Sequence, residues 1–105
     1  MTGPDGHPVV EANSVVVATK NQVASDLAGE VVLLSLKTGM YYGLDRVGAR
    51  IWELIQEPTS VAAVRDAIVS EYDVGPEQCQ RDTLELLQHL AVEGLIEVDD
   101  AAELA

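Results

Sequence analysis

The chain has 105 residues, 48% of them hydrophobic, so it can form one domain with a real core, and a second independent domain is not expected. Eighteen acidic residues against six basic ones give a formal net charge of -12, which repels nucleic-acid phosphates and favours neutral or basic partners. No apolar run approaches the ~20 residues of a membrane span. The first residues also lack the basic segment followed by an apolar one that is typical of a secretory signal. We therefore expect a cytoplasmic protein without a membrane partner.

The first third of the chain contains segments typical of strands. Residues 1–13 mix glycine, proline and polar residues without periodicity, which predicts a disordered N-terminal segment. The consecutive valines at 15–17 predict a brief outer strand. Residues 22–27 alternate between polar and apolar side chains, which predicts another strand. The apolar run of residues 31–36 is typical of a central strand that is covered on both faces.

A hairpin and a helix follow this central strand. Residues 37–39 are predicted as a three-residue turn, because Gly39 can adopt the left-handed conformation that such a turn needs. Residues 40–44 are the next predicted strand, at the edge of the sheet. Asp45 then offers a carboxylate to the free amides at the start of a helix that extends to about Gln56. We therefore expect an antiparallel meander whose edge strand leads directly into a core helix.

Two further helices are predicted in the second half of the chain. Ser60 is a predicted N-cap, and apolar residues at helical spacing extend from there to Tyr72. Pro76 suits the first position of a third helix, and Gly94 suits its C-terminal cap. The apolar arc of the third helix covers about half of its circumference, which is more than packing on a single neighbour requires.

The order of these elements predicts an α+β fold in which a three-stranded antiparallel sheet is followed by three helices. The last two helices, joined by a short Gly-Pro turn, give the domain the outline of a winged helix-turn-helix. The predicted domain spans residues 14–98. It lies between the disordered segment of residues 1–13 and an acidic C-terminal tail of residues 99–105.

Motifs for catalysis, cofactors and metals are absent from the sequence. It has no G-x-S-x-G, phosphate loop, dinucleotide fingerprint or cysteine pair, so no cofactor and no enzymatic activity are expected. The single Cys79 is expected to be a small buried residue. Glu85, His89 and Glu93 are spaced like metal ligands on a helix, but a solvated polar face explains them better in so acidic a chain. No metal site is predicted.

A winged helix-turn-helix is also a DNA-binding fold, so a nucleic-acid-binding regulator is an alternative function. A recognition helix needs basic side chains, whereas residues 76–94 contain Arg81 as their one arginine against four carboxylates. The charge therefore argues against nucleic acid as a partner. A small structural subunit of a modification enzyme is a further alternative.

Two blocks carry a resemblance to a known family. They are TGMYYGL at residues 38–44 and GARIW at residues 48–52, set in a hydrophobic framework over about residues 15–98. With them the sequence resembles the PqqD-like proteins, which are recognition elements for ribosomally made and post-translationally modified peptides. It is most similar to the stand-alone versions in lasso-peptide biosynthesis.

The resemblance implies a non-catalytic domain that binds the leader segment of a precursor peptide. In this family the leader adds as a strand to the sheet edge and packs against the third helix. The implied further partners in the lasso pathway are a cysteine-protease-like leader peptidase and a lasso cyclase. The sister interpretation is a PqqD-type chaperone that partners a radical SAM enzyme in quinone cofactor biosynthesis.

The predicted leader-binding site joins the edge strand to the third helix. An edge strand presents unpaired amides and carbonyls, and pairing an extended peptide there is a known recognition mode. The sequence does not decide which tyrosine faces the groove, because a one-residue error in register exchanges the two faces of a strand. The predicted site residues are Leu34, Met40, Tyr41, Tyr42, Gly43, Leu44, Leu86 and Leu90, with Asp82 and His89 at the rim.

Overall fold

The computed structural model of the protein describes residues 10–20, 22–27 and 30–100. Within these ranges the predicted α+β class, with a meander of strands that leads into three helices, is confirmed. The elements in chain order are β1 (Ser14–Ala18), β2 (Gln22–Leu27), β3 (Glu30–Ser35), β4 (Tyr41–Leu44), α1 (Arg46–Leu54), β5 (Thr59–Ser60), α2 (Val61–Glu71), α3 (Pro76–Val92) and β6 (Ile96–Asp100).

Strands β2, β3 and β4 form the predicted antiparallel meander, with β3 in the middle. The register pairs Leu33 of β3 with Tyr42 of β4, and the side chain of Leu33 is fully buried in the core. The alternate residues of β3, Val32 and Leu34, are only half-buried. The expectation that this strand is covered on both faces is therefore wrong: one face lies on the core, and the other is the outer face of the sheet.

The loop that the Ser35–Met40 backbone pair closes has four residues, Leu36–Gly39, instead of the predicted three. The Gly39 N–H donates to the Ser35 carbonyl at 2.8 Å, and the Ser35 N–H donates to the Met40 carbonyl at 2.9 Å. Gly39 has a φ of 75°, the left-handed conformation expected at this position. Because the turn is longer, β3 ends one residue earlier than predicted, and β4 begins at Tyr41.

A second antiparallel sheet, in the order β5–β1–β6, was not predicted. The sequence indicated β1, through the valines of residues 15–17, but not its pairing with β6. Strand β6 continues to Asp100, two residues beyond the predicted end of the domain. Near the other boundary, Val10 is buried and its N–H donates to the Gln88 side chain of α3 at 2.9 Å. Residues 1–9 and 101–105 of the predicted terminal segments lie outside the described residues.

The helices begin at the predicted caps. At the start of α1, Asp45 Oδ1 accepts from the Gly48 N–H at 2.8 Å, and at the start of α2, Ser60 Oγ accepts from the Ala63 N–H at 3.1 Å. Helix α3 begins with Pro76. None of the helices in the described ranges is long and apolar enough to cross a membrane. Both sheets and all three helices share one core, whose large buried side chains include Val16, Leu33, Trp52, Ile55, Ile68, Leu87 and Leu90.

Candidate functional site

Strand β4 is an edge of its sheet, and none of the described strands pairs with its outer side. In an antiparallel ladder, residues whose backbone groups face the neighbouring strand alternate with residues whose groups face away. The hydrogen bond from the Ser35 N–H to the Met40 carbonyl fixes this alternation, so that Tyr42 exchanges its hydrogen bonds with β3. The N–H and C=O groups of Tyr41 and Gly43 therefore point away from the sheet.

Among the residues that the structure describes, nothing closes this edge to an incoming strand. Residues 41–44, with the sequence YYGL, contain no charged side chain and no proline, which are the residues that commonly block an exposed edge. The outer face of the sheet at Gly43 is also unobstructed, because a Cβ there would meet no heavy atom within 4 Å outside its chain neighbours. An extended peptide can therefore approach β4 and exchange hydrogen bonds with the backbone of Tyr41 and Gly43.

A groove of about 490 Å³ lies between β4 and the helices, with α3 as its far wall. A concave surface of this size with an apolar lining is typical of ligand sites. Cys79 belongs to its α3 wall; the side chain is buried, as predicted, with its Sγ 3.8 Å from Thr83 Oγ1. The apolar lining comes from β4, from all three helices and from the α2–α3 connection: Leu44, Val47, Ile51, Ile68, Val74 and Leu86.

The polar lining of the groove is neutral or acidic. Asp45 and Asp82 both line it, and Gln78 Nε2 donates to Asp82 Oδ1 at 2.9 Å. None of the lining residues is basic. A peptide that carries a basic side chain next to apolar ones would complement this combination of charge and hydrophobic surface.

The register shows which tyrosine of β4 faces α3. The Tyr42 hydroxyl donates a 2.6 Å hydrogen bond to Glu93 Oε2, and its ring meets the His89 ring edge-on with the centroids 5.8 Å apart. The hydrogen bond to Glu93, together with desolvation and the carboxylate charge, raises the pKa of Tyr42. Tyr41, on the opposite face, and Met40, before the strand, are both exposed. Tyr42 thus ties β4 to the C-terminal end of α3.

The structure brings only part of the predicted site together in the groove. Tyr42 and His89 contact each other, but neither belongs to the groove lining. Leu34 and Tyr41 lie on the outer face of the sheet, and Leu90 is buried inside the core, so these three do not form the predicted wall. The predicted residues that do line the groove are Gly43, Leu44, Asp82 and Leu86.

Sequence reasoning missed the floor of the groove. Val47 and Ile51 lie on α1, and Ile68 lies on α2. Their helical spacing predicts that they are buried, but it does not show that they border a groove. Val74 belongs to the connection between α2 and α3, where the glycine-proline signal for a turn gave no reason to expect a lining residue.

The model of the family described as coenzyme PQQ synthesis protein D (PqqD) matches residues 30–96. No curated protein sequence matches significantly.

Solved structures of three proteins resemble this chain. TbiB1, in complex with the TbiA(beta) leader peptide, is 41% identical with a TM-score of 0.71, covering 77% of this chain and 94% of that chain. A lasso peptide synthetase B1 complexed with the leader peptide is 24% identical with a TM-score of 0.68, over 78% and 96% of the two chains. The PqqD truncation of Methylobacterium extorquens PqqCD, a stand-alone recognition element, is 19% identical with a TM-score of 0.70. The match covers 85% of this chain and 95% of that chain. At their lower identities, the last two support the fold alone.

Proposed function

The chain belongs to the PqqD family, and from that premise we propose that it binds the leader segment of a ribosomally made precursor peptide. The leader adds to β4 as a further strand, and its alternate side chains enter the groove in front of α3. The observation that carries this proposal is the open edge of β4 directly beside an apolar groove. The 41% identity to TbiB1, which was solved in complex with a leader peptide, supports the binding of a leader peptide here.

Pairing with the backbone and recognition by the groove have different roles in this proposal. Hydrogen bonds to Tyr41 and Gly43 tolerate many leader sequences, because they involve only the leader backbone. Leader residues opposite Tyr42 and Leu44 point to the same side as those two side chains, which is the side of α3. Specificity therefore comes from apolar leader residues at alternate positions, which pack against the groove wall around Leu86.

The protein leaves the leader unchanged and presents it to a cysteine-protease-like leader peptidase, after which a lasso cyclase acts on the processed precursor. The resemblance of the TGMYYGL block at residues 38–44 to stand-alone lasso-pathway elements supports this pathway. The geometry around Cys79, the one thiol of the groove, supports a non-catalytic role. Its Sγ contacts the Thr83 hydroxyl and the Arg65 carbonyl, and neither group is a base that could activate it.

A second candidate function has the same leader-binding site but a different processing partner. The description of the matched family, coenzyme PQQ synthesis protein D, favours a chaperone that presents the leader to a radical SAM enzyme. The two candidates are separated by co-purification with each enzyme class, and by whether genes for a peptidase and a cyclase or for a radical SAM enzyme adjoin the precursor gene.

The decisive binding experiment compares Gly43→Pro with Gly43→Ala. A fluorescent leader peptide from the adjacent precursor gene is titrated with each purified variant. Proline removes the N–H that the leader uses, so affinity should fall by about tenfold or more, the equivalent of one lost hydrogen bond of ~1.4 kcal/mol. Alanine keeps the N–H and its Cβ meets open space, so affinity should stay within about twofold of wild type.

Two results would contradict the proposal. A Gly43→Pro variant that keeps the wild-type circular dichroism spectrum and the wild-type leader affinity would exclude the edge of β4 as the binding site. Cleavage of the leader by the purified protein alone, seen by mass spectrometry, would exclude a non-catalytic role.

A further inference from the structure

Two carboxylates line the groove beside β4, one on each side of it. Asp45 directly follows β4 as the N-cap of α1, and Asp82 lies on the α3 wall. The ion pairs of the described residues use the carboxylates of Glu53, Asp66 and Glu71, so neither groove carboxylate is paired with a cation among those residues. A cationic ligand group could therefore approach both without displacing an arginine or lysine of the described part of the chain.

Asp82 is the better placed of the two carboxylates to bind a ligand. Asp45 Oδ1 already accepts from the Gly48 N–H in the cap of α1. Asp82 Oδ1 accepts from Gln78 Nε2 at 2.9 Å, a contact on the same helix that restrains the carboxylate without neutralising it. Arg81 does not pair with Asp82, because its Nη2 makes a long, 3.5 Å contact with Gln78 Oε1 instead. A carboxylate can accept several hydrogen bonds, so Asp82 can accept one from a bound peptide.

The direction of β4 along α3 determines which part of a leader reaches Asp82. Tyr42 meets the C-terminal part of α3 at His89. Leu44 lines the groove together with Leu86, which lies closer to the N-terminal end of the helix. β4 therefore runs from the C-terminal towards the N-terminal half of α3, and Asp82 lies one helical turn beyond Leu86 in that direction. Since four helical residues span ~6 Å and two strand residues span about 6.6 Å, successive inward side chains of a leader strand meet Leu86 and then Asp82.

We infer that Asp82 selects leaders that carry a lysine or arginine two positions from an apolar residue. The apolar residue packs against Leu86, and the basic residue donates to the Asp82 carboxylate. This inference rests on the proposed function, because it assigns a specificity-determining residue within the same leader site. It adds a requirement on the leader sequence that pairing with the β4 backbone does not impose.

The charge of the chain favours a basic ligand over a neutral hydrogen-bond donor. A formal net charge of -12 attracts a cationic leader from solution and speeds its association. A neutral amide or hydroxyl could also donate to Asp82, but it would gain nothing from this attraction. A bound leader also excludes water from the groove, which strengthens an ion pair there compared with one on open surface. The Asp82 carboxylate therefore contributes both to the rate of association and to the stability of the complex.

The test compares two matched substitutions on α3 in the full chain. Asp82→Asn keeps the shape of the side chain and removes its charge. Glu85→Gln is the control, because Glu85 is also exposed on α3 but does not line the groove. The probe is a fluorescent synthetic leader encoded by the adjacent precursor gene, and its affinity is measured by anisotropy. Circular dichroism and thermal melting check that each variant is folded.

Asp82→Asn should weaken leader binding by about fivefold, the upper end of the range for a partly exposed ion pair. Glu85→Gln should leave the affinity within about twofold of wild type. Reversal of both charges then isolates the pair. Asp82→Lys should weaken binding of the natural leader by about tenfold or more, because two cations would face each other. A leader in which glutamate replaces the basic residue should bind Asp82→Lys within about threefold of the wild-type affinity.

Several outcomes would overturn the inference. They are tight binding of a natural leader that has no lysine or arginine two positions from an apolar residue, unchanged leader affinity in Asp82→Asn, equal losses in Asp82→Asn and Glu85→Gln, or no rescue of Asp82→Lys by the glutamate leader. Equal losses would mean that the overall charge of the chain, and not Asp82, attracts the leader. Failure of the proposed function has a separate signature, because the wild-type protein would then not bind the leader at all.

Discussion

The two sheets of this protein differ in how their edges are protected. In the β5–β1–β6 sheet, β5 has only two residues, and β6 carries exposed carboxylates at Glu97 and Asp99. Short length and charge both discourage another strand from pairing. In the β2–β3–β4 sheet, the uncharged strand β4 is left open beside a groove. This difference between the two sheets supports the proposal that the edge of β4 is the one used for binding.

The largest expected effect comes from a charge placed in the groove beside the open edge. Leu86→Asp puts a carboxylate on the wall that should receive apolar leader side chains. Burial of an unpaired charge costs several kcal/mol, so leader affinity should fall by about a hundredfold or more in a fluorescence-anisotropy titration. The half-exposed position of Leu86 should keep the variant folded.

Leu84→Asp is the matched control for this variant. Leu84 is half-buried on the same helix but lines the opposite side, next to Arg65 and Arg81. Its substitution should leave leader affinity near the wild-type value. Equal losses of leader affinity in Leu84→Asp and Leu86→Asp would mean that the charge disturbs α3 as a whole. The groove wall would then not be specifically required for leader binding.

The open edge itself could be predicted from the sequence, because its signals are local. Gly39 marks the turn, Asp45 marks the start of α1, and the residues between them must form a short strand. The same reasoning failed for the second sheet. Residues 14–18 and 96–100 are far apart in the chain, and no local pattern shows that they pair.

Local sequence signals also did not show which side chains of β4 point to which face of the sheet. Leu34 was predicted as a groove residue, and the choice between Tyr41 and Tyr42 was left open. The register set by the four-residue loop places Leu34 and Tyr41 on the outer face. Because side chains along a strand alternate between the two faces of the sheet, a shift of the register by one residue moves every side chain of the strand to the opposite face. The prediction of Leu90 as a groove residue failed for a different reason. The spacing of apolar residues along a helix shows which side is apolar, but it does not show which of those residues lie in the core and which border a groove.

We expect an effect of intermediate size when the protected edge strand β6 is made uncharged, as the open edge strand β4 is. The double substitution Glu97→Val and Asp99→Val removes the exposed charges from β6. Each new apolar cross-strand pair contributes up to ~1 kcal/mol, so self-association should strengthen by about tenfold in sedimentation velocity. Leader binding at β4 should not change.

The charge change needs its own control, because the double substitution also makes the chain less acidic. Glu57→Val with Asp73→Val removes the same number of carboxylates from exposed positions outside the strands. This pair should leave self-association at the wild-type level. If both pairs of substitutions increase association equally, net charge and not protection of the β6 edge keeps the molecules apart.

Tyr42→Phe should have the smallest effect, and it tests the assignment of the two faces of β4. The hydrogen bond to Glu93 raises the folded-state pKa of Tyr42, so folding favours the protonated phenol. This stabilisation is fully present below the unfolded-state pKa of tyrosine and is lost as pH rises through the higher folded-state pKa. The wild type should therefore be slightly more stable than Tyr42→Phe to urea at neutral pH, and the difference should disappear under strongly alkaline conditions. Tyr41→Phe, on the outer face, is the control and should match the wild type throughout; if Tyr41→Phe shows the pH-dependent loss instead, the register of β4 is shifted by one residue.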